Sequence, residues 1–420
     1  MKHNLNYVSI PIDKGYISLK TKPRAVPWTS SSRNEQAYIN YYNSFIELTL
    51  QIIVKGLDMS GKKDVNISLL KPHNCIIEKM DGSFSFIDSQ TNQELGIDIS
   101  ENIMNESFYR SVLDCCFCNK EKQLLDDYCP VYNGMSNFYS NEKESDVFKS
   151  IIEKLPYEPT STTGGIITWK VRVPMRLLSG FCARNAFLLT RNFVTKLYFN
   201  EFKYFIDKIT YNNAASIFDS SNTTNLIDDF IVRNMDFYYD QTICGPDEEP
   251  FDPILLNIPS TKIERAYTNV ICNDTSEKRV KFTDTLNFSP KFVVMFFTNE
   301  KDDLVDLVKI SPKYLKISTG GETNINPSFD PDSTNEEPDY RLWAMTRQSL
   351  DLNNQPCLNF DIWKNASRFY IFSFAENFSL LENNNYINYE IRFNPQFNDQ
   401  KINIHRVYLK DYLSVFESSE

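Results

Sequence analysis

The chain is short of most things that enzymes and nucleic-acid coats need. Only three histidines occur in 420 residues, His3, His73 and His405, so little imidazole is on hand for acid–base or metal chemistry. No nucleophile elbow, phosphate-binding loop or dinucleotide fingerprint is present. Glycine is scarce, at 12 residues, which speaks against a collagen-like or low-complexity chain. No run of about 18 apolar residues occurs, so no membrane span is expected. The opening Met1–Asn6 lacks the apolar core of a signal peptide. Positive charge is also in deficit: 44 Lys and Arg face 55 Asp and Glu, for a formal net charge of -11. An acidic chain is poorly suited to coating nucleic acid over its whole surface, although a locally basic face remains compatible with it.

The nine cysteines are odd in number and scattered, as expected of reduced, mostly buried thiols in an intracellular product. On that reading the Asn-X-Ser/Thr sites at Asn66, Asn105, Asn222, Asn273, Asn287, Asn365 and Asn377 carry no sugar. The one metal-like cluster is Cys115, Cys116 and Cys118 with Cys129 eleven residues on. Zinc sites use Cys pairs two to four apart and a second pair, often with His. That spacing is missing here, so no metal is expected. The carboxylates at Asp247-Glu248-Glu249, Asp302-Asp303 and Asp330-Pro331-Asp332 read as solvated loops, without EF-hand spacing. Gly164-Gly165 and Gly320-Gly321 read as loop glycines, and His405 as a hydrogen-bonded core histidine rather than a base. No catalytic, cofactor-binding or metal-ligating residue is assigned, and no enzyme activity is expected.

What is abundant is aromatic and β-branched material. With 31 Phe and 23 Tyr, the chain can fill two sandwich cores. Residues 38–55 give a strand in which Ile46, Leu48, Leu50, Ile52 and Val54 form one apolar face and Phe45, Glu47, Thr49, Gln51 and Ile53 the other. Residues 166–205 read as strand, short helix, strand. Trp169, Val171 and Val173 alternate with Lys170 and Arg172; Pro174 stops the ladder; Met175, Leu177, Leu178 and Phe181 line a short helix, weakened or ended by Gly180. Alternation returns after Asn185.

Around these, residues 1–36 read as an irregular, locally basic arm. Residues 65–100 give short strands with a hairpin at Asp81-Gly82 and polar turns at 89–92. Residues 101–130 read as helix or mixed structure, 144–154 as a short helix, 156–165 as loop and 206–229 as polar loop. A strand over 230–243 is followed by the linker Gly245–Pro253, with three prolines and four acids. Strands then recur at 263–272, 291–297, 369–374, 386–393 and 402–415, with a polar loop at 319–339 and a short helix at 359–366.

Val-Pro-Met-Arg-Leu-Leu-Ser-Gly-Phe at 173–181, Phe-Leu-Leu at 187–189 and the alternating strand after it resemble the first-roll signature of double-jelly-roll viral major capsid proteins, in the lineage of adenoviruses, Polintons, adintoviruses and virophages. Ser-Pro-Lys-Phe-Val-Val-Met-Phe-Phe at 289–297, the helix at Phe360, the strand Tyr370–Phe374 and the ending from Tyr389 to Tyr412 are similar to second-roll landmarks. Ala375-Glu376-Asn377 stands where relatives often have Asp-Leu-Thr. The resemblance implies an all-β chain of two tandem antiparallel jelly rolls with short helices in the connections. The expected divisions are an arm at 1–36, a first roll at 37–244, a linker at 245–253 and a second roll at 254–420. It further implies a structural protein of the virion, assembled inside the host cell. Three copies would form a pseudo-hexagonal capsomer that meets neighbouring capsomers and penton or minor capsid proteins in an icosahedral shell of a double-stranded DNA virus, with no sequence-specific nucleic-acid contact. The alternative is a β-sandwich attachment module recognising carbohydrate or another surface ligand.

Overall fold

The computed structural model describes residues 7–11, 17–21, 26–31, 37–61, 63–87, 94–99, 103–117, 151–152, 154–161, 163–183, 187–212, 215–243, 257–272, 278–286, 290, 292–298, 312–319, 370–373, 386–393 and 400–415. In chain order the first half holds β1 (Tyr7–Pro11), β2 (Ile17–Ser18), β3 (Val26–Ser31), β4 (Ala37–Lys55), β5 (Val65–Leu69), β6 (Ile77–Ile87), β7 (Glu94–Asp98), the helix α1 (Glu106–Phe117), β8 (Ile151–Ile152), β9 (Tyr157–Ser161), β10 (Gly164–Pro174), β11 (Phe187–Phe199), β12 (Ile206–Tyr211), β13 (Ala215–Asp219) and β14 (Ile227–Ile243). The second half holds β15 (Asn257–Cys272), β16 (Lys278–Thr285), β17 (Phe292–Thr298), β18 (Pro312–Thr319), β19 (Tyr370–Ser373), β20 (Tyr386–Phe393) and β21 (Gln400–Val415).

β4 is the spine of the first half. β14 pairs along one edge, while β10 covers residues 45–55 and β11 residues 38–40 of the other. Pro174 ends β10 opposite Phe45, because proline has no N–H to continue a ladder. The chain then makes two short 3-10 turns, Met175–Leu177 and Phe181–Ala183, before β11 rejoins β4 at Asn40. Met175, Leu177, Leu178 and Phe181 are all buried, as their spacing predicts. β4 also shows its expected faces. Ile46, Leu48, Leu50 and Ile52 have no exposed surface and Val54 1%. Phe45, on the opposite face, is nonetheless buried, stacked on Tyr238 at 5.0 Å.

The apolar face of β4 looks onto a second sheet in the order β13-β12-β5-β8. Val65, Ile67 and Leu69 of β5 and Ile206, Ile209 and Tyr211 of β12 close that core. In the second half, β15-β21-β17-β19 form one sheet and β16-β20-β18 the other, all antiparallel. Successive described strands fall alternately in the two sheets, and the first, β15, lies beside the last, β21. That wrapping is the jelly-roll topology.

Several expectations are corrected. Asp81-Gly82 is not a hairpin: β6 runs through it and pairs Gly82 with Thr195. Gly82 has φ +151°, and a Cβ there would sit 2.7 Å from the Thr195 Cα, so glycine serves close strand approach rather than a turn. Residues 206–229, expected as loop, hold β12, β13 and the start of β14, with a turn at 220–226; the many polar residues hide a half-buried alternation in the strands. Tyr157–Ser161 is a strand beside β10, with Pro159 tolerated at that edge position, and Gly164-Gly165 open β10 instead of lying in a loop. Ile151–Ile152 pair with β5, so the end of the expected helix at 144–154 is strand. In the amino-terminal 36 residues, β1 and β2 pair with β14 and β3 with β11, so the described parts are edge strands. The expected turns at 89–92, linker at 245–253, loop at 320–339 and helix at 359–366 lie outside the described residues. No helix among the described residues is long and apolar enough to cross a membrane.

Leu50→Asp would set an unpaired charge in the first core. It should cost several kcal/mol, read as a lowered urea midpoint or loss of folding; near-normal melting would contradict the assigned face.

Candidate functional site

The two halves meet at α1. Its Phe108 ring lies 6.1 Å edge-on from Phe296 of β17, and Tyr109 lies 6.4 Å from the same ring. His405 of β21 stacks on Phe296 with centroids 4.7 Å apart. Both imidazole nitrogens are engaged, Nδ1 with the Tyr109 hydroxyl at 3.2 Å and Nε2 with Thr298 Oγ1 at 2.8 Å. His405 is thus the hydrogen-bonded core histidine expected from the sequence. Thr298 beside an imidazole has the distance of an activated hydroxyl. Yet both groups have no exposed surface, and the far nitrogen meets a phenol rather than a carboxylate. No substrate reaches this pair, and its work is to hold α1 against the second half.

The other side of α1 is fixed to the first half by polar contacts. Asn74 Nδ2 donates to Ser107 O at 3.1 Å and Ser111 Oγ at 2.6 Å, and Ser107 Oγ donates to Ile77 O. Arg110 and Glu106, one turn apart, form a buried ion pair at 2.5 Å. The Lys71 ammonium lies 4.1 Å from the Tyr204 ring centre, a cation–π contact, and donates to Tyr204 O. Burial pushes the Cys75 thiol up to about 12 despite the nearby Lys71 charge, and raises Cys182 as well. Both are inert structural thiols.

A second buried cluster lies between the sheets of the second half. Arg406 grips Asp284 with two parallel bonds, Nε to Oδ2 at 2.6 Å and Nη2 to Oδ1 at 2.8 Å. Tyr408 donates to the same carboxylate, and its oxygen lies 2.6 Å from that of Tyr389. The guanidinium carbon sits 4.2 Å from the Phe282 ring centre. Burial, and then the Asp284 charge beside it, raise the Tyr389 phenol well above its ordinary value, and burial does the same for Tyr408. These phenols stay neutral. The Asp284 carboxylate, the Arg406 guanidinium and the two phenols thus bond to one another inside the core.

The third feature is exposed. On the outer face of β16-β20-β18 the register stacks residues in rows. Arg279 stands beside Arg392; Lys281, Glu390 and Lys316 form the next row; Thr283, Asn388 and Ser318 the next; Thr285 and Tyr386 the last. Rows two residues apart are separated by about 7 Å. Arg279, Lys281 and Arg392 all lie within 3.5 Å of Glu390 oxygens. Partial burial works against ionisation of Glu390, but Arg279 and Lys281 outweigh it and hold its carboxyl below the usual range. The two middle rows line a depression of about 370 Å³.

Cys115 and Cys116 fall in the last turn of α1, while Cys118, Cys129, His3 and the three acidic loops lie outside the described residues. His73 Nε2 lies 3.0 Å from the Arg172 carbonyl in the first-half core. Among the described residues no three His, Cys, Asp or Glu side chains converge as metal ligands. The Asp284–Arg406 pair escaped the sequence reading because its partners are 122 positions apart.

No protein-family model and no curated protein matches the chain. Its architecture is shared by solved structures, two of which illustrate it. A chain in the 3.5 Å cryo-EM structure of the Sputnik virophage superposes with a TM-score of 0.57 at 10% identity, covering 100% of this chain and 90% of that one. The mavirus major capsid protein superposes with a TM-score of 0.54, also at 10% identity, covering 97% of this chain and 87% of that one. The chain therefore has the double-jelly-roll fold.

Two outcomes follow from these clusters. Arg406→Met leaves Asp284 buried without its cation and should cost roughly 3–5 kcal/mol, while Arg406→Met with Asp284→Leu should recover much of that in denaturant unfolding. Cys75 and Cys182 should resist a thiol reagent at pH 8 until the chain unfolds, as mapped by mass spectrometry; labelling in the native state would contradict their burial.

Proposed function

We propose that the chain is the major structural protein of an icosahedral double-stranded DNA virus shell, acting as a homotrimeric capsomer. One observation carries the proposal: two jelly rolls in a single chain are joined through a dry aromatic junction at α1, in a chain whose fold superposes on the mavirus major capsid protein. Two rolls per chain and three-fold closure give six similar corners, a near-hexagonal tile. The organisation that serves this reading is an amino-terminal stretch at 1–36 whose described strands edge the first roll, a first roll at 37–244, a linker at 245–253 and a second roll at 254–420.

A rigid tile needs the two rolls to move as one. A buried junction of Phe108, Tyr109, Phe296 and His405 serves that, since loosely docked domains use smaller and more polar contacts. The work of such a protein lies in its surfaces: roll against roll, subunit against subunit, and tile against tile, including penton and minor capsid proteins. No catalytic residue is required, and the buried Thr298–His405 pair supports a structural role. Its place in the cell's traffic is the virion, after assembly inside the host.

Permanent interfaces commonly bury upward of roughly 2,000 Å² with apolar centres. The purified chain should therefore run near three times its 49.0 kDa mass, or assemble further, with hexagonal outlines in negative stain. A stable monomer at micromolar concentration across salt and pH would overturn the capsomer reading.

A further inference from the structure

We infer that the outer face of the β16-β20-β18 sheet is a binding site for an acidic saccharide, a sugar bearing a carboxylate or sulfate. The inference stands apart from the assembly reading, because it concerns a face that a single chain already presents. Three observations carry it.

The first is charge. In a chain of net charge -11, this one face sets four cations, Arg279, Lys281, Lys316 and Arg392, against a single carboxylate, Glu390. Lys316 has no ion-pair partner among the described residues. A surplus of three positive charges on one sheet face, against the sign of the whole molecule, favours an anionic ligand.

The second is order. Along β20 the row of Lys281, Glu390 and Lys316 gives way, about 7 Å on, to Thr283, Asn388 and Ser318, and after a further step to Tyr386. Charge, then hydroxyl and amide, then an aromatic ring is the sequence of groups that an acidic sugar presents in reverse: an acid group, ring hydroxyls and an apolar ring face. Tyr386 is 50% exposed, which leaves its ring free to stack on a sugar. Glu390 adds an acceptor for a hydroxyl proton.

The third is shape. The depression over the two middle rows, about 370 Å³, lies within the usual range of small-ligand sites. Nucleic acid is the less suited partner. Glu390 stands in the middle of the cations where a phosphate backbone would pass, and the basic rows end within three strands. The opposite sheet of this roll is unavailable to any ligand on the β17 and β21 surface that packs on α1.

The test is calorimetric titration of the purified full chain with 3′-sialyllactose, a heparin tetrasaccharide and neutral lactose, with a 20-nucleotide single-stranded DNA alongside. The first two separate a carboxylate from a sulfate as the recognised acid. At least one should bind about tenfold more tightly than lactose. Lys281→Ala with Lys316→Ala should weaken that binding about tenfold, Lys281→Arg with Lys316→Arg should preserve it, and Tyr386→Ala should weaken it independently of salt. All these positions are on the surface, so thermal melting should stay unchanged. Absence of binding to both acidic saccharides, or binding indifferent to the alanine pair, would overturn the proposal. So would tighter DNA binding with the same lysine dependence, which would make the face a nucleic-acid surface. Unchanged saccharide binding with lost assembly in the alanine pair would make it a subunit contact instead.

Discussion

From Ile402 to Tyr408, β21 is buried on both of its faces, and much of the molecule follows from that constraint. In a strand, consecutive side chains point to opposite sides. His405 therefore faces α1 and the first half, while Arg406, the next residue, faces the interior of the second sandwich. Neither side offers water. A polar group placed there must find its partners within the protein or destabilise the fold by its full desolvation. His405 meets this demand with a phenol, a hydroxyl and an aromatic face. Arg406 meets it with a bidentate carboxylate, the Ile404 carbonyl and the Phe282 ring. Two neighbouring residues thus tie three layers together: α1, the sheet carrying β21, and the sheet carrying β16 and β20.

The same double coverage distributes charge. Since β17 and the middle of β21 are covered by α1, the outward positions of the other sheet carry exposed strand chemistry, and there Arg279, Lys281, Lys316 and Arg392 gather around Glu390. The inward positions of the same strands are Ile387, Tyr389, Ile391, Leu315 and Ile317, with Asp284 as the one carboxylate, already held by Arg406. A period of two keeps a cationic outer surface and an apolar core within a single layer. The ion pair inside is no strong source of stability by itself. Its bidentate geometry fixes how β16 and β21 register across the sandwich, which is a gain in specificity.

Strict alternation made the strands around β4, β10 and β20 legible in the sequence. Ile46 to Val54 declared their face, and Trp169, Val171 and Val173 declared theirs. What failed did so where a local signal competed with tertiary pairing. Asp81-Gly82 is a strong turn dipeptide, yet the Gly82 backbone is used to let β6 approach β11. Residues 206–229 are rich in Asn, Ser, Thr and Asp, but those residues fill outward and turn positions around Ile206, Ile209, Ile217 and Phe218. The amino-terminal strands were obscured by Pro11 and Pro27, which edge strands tolerate. Of the buried clusters, the hydrogen-bonded state of His405 could be read from its strand context. Its partners Tyr109 and Thr298, 296 and 107 positions away, could not, because hydrogen-bond pairing at such separations leaves no periodic trace.

That split explains how the architecture is shared at 10% identity. A jelly roll demands alternation in each strand, enough apolar volume between sheets, and no unpaired polar group inside. Many sequences meet the first two conditions, since hydrophobic residues of similar size substitute for one another at modest cost. The third can be met by different residues, provided that they come in complete sets. Tyr109, Thr298 and His405 are one such set, and Asp284, Arg406, Tyr389 and Tyr408 another. Members of a set are coupled, because losing one strands the others in a dry interior. Substitution at these positions is therefore expected to be collective, whereas the outward rows of β16, β18 and β20 can change residue by residue. The interior fixes the fold, and the exposed rows are where one double jelly roll acquires chemistry that another lacks.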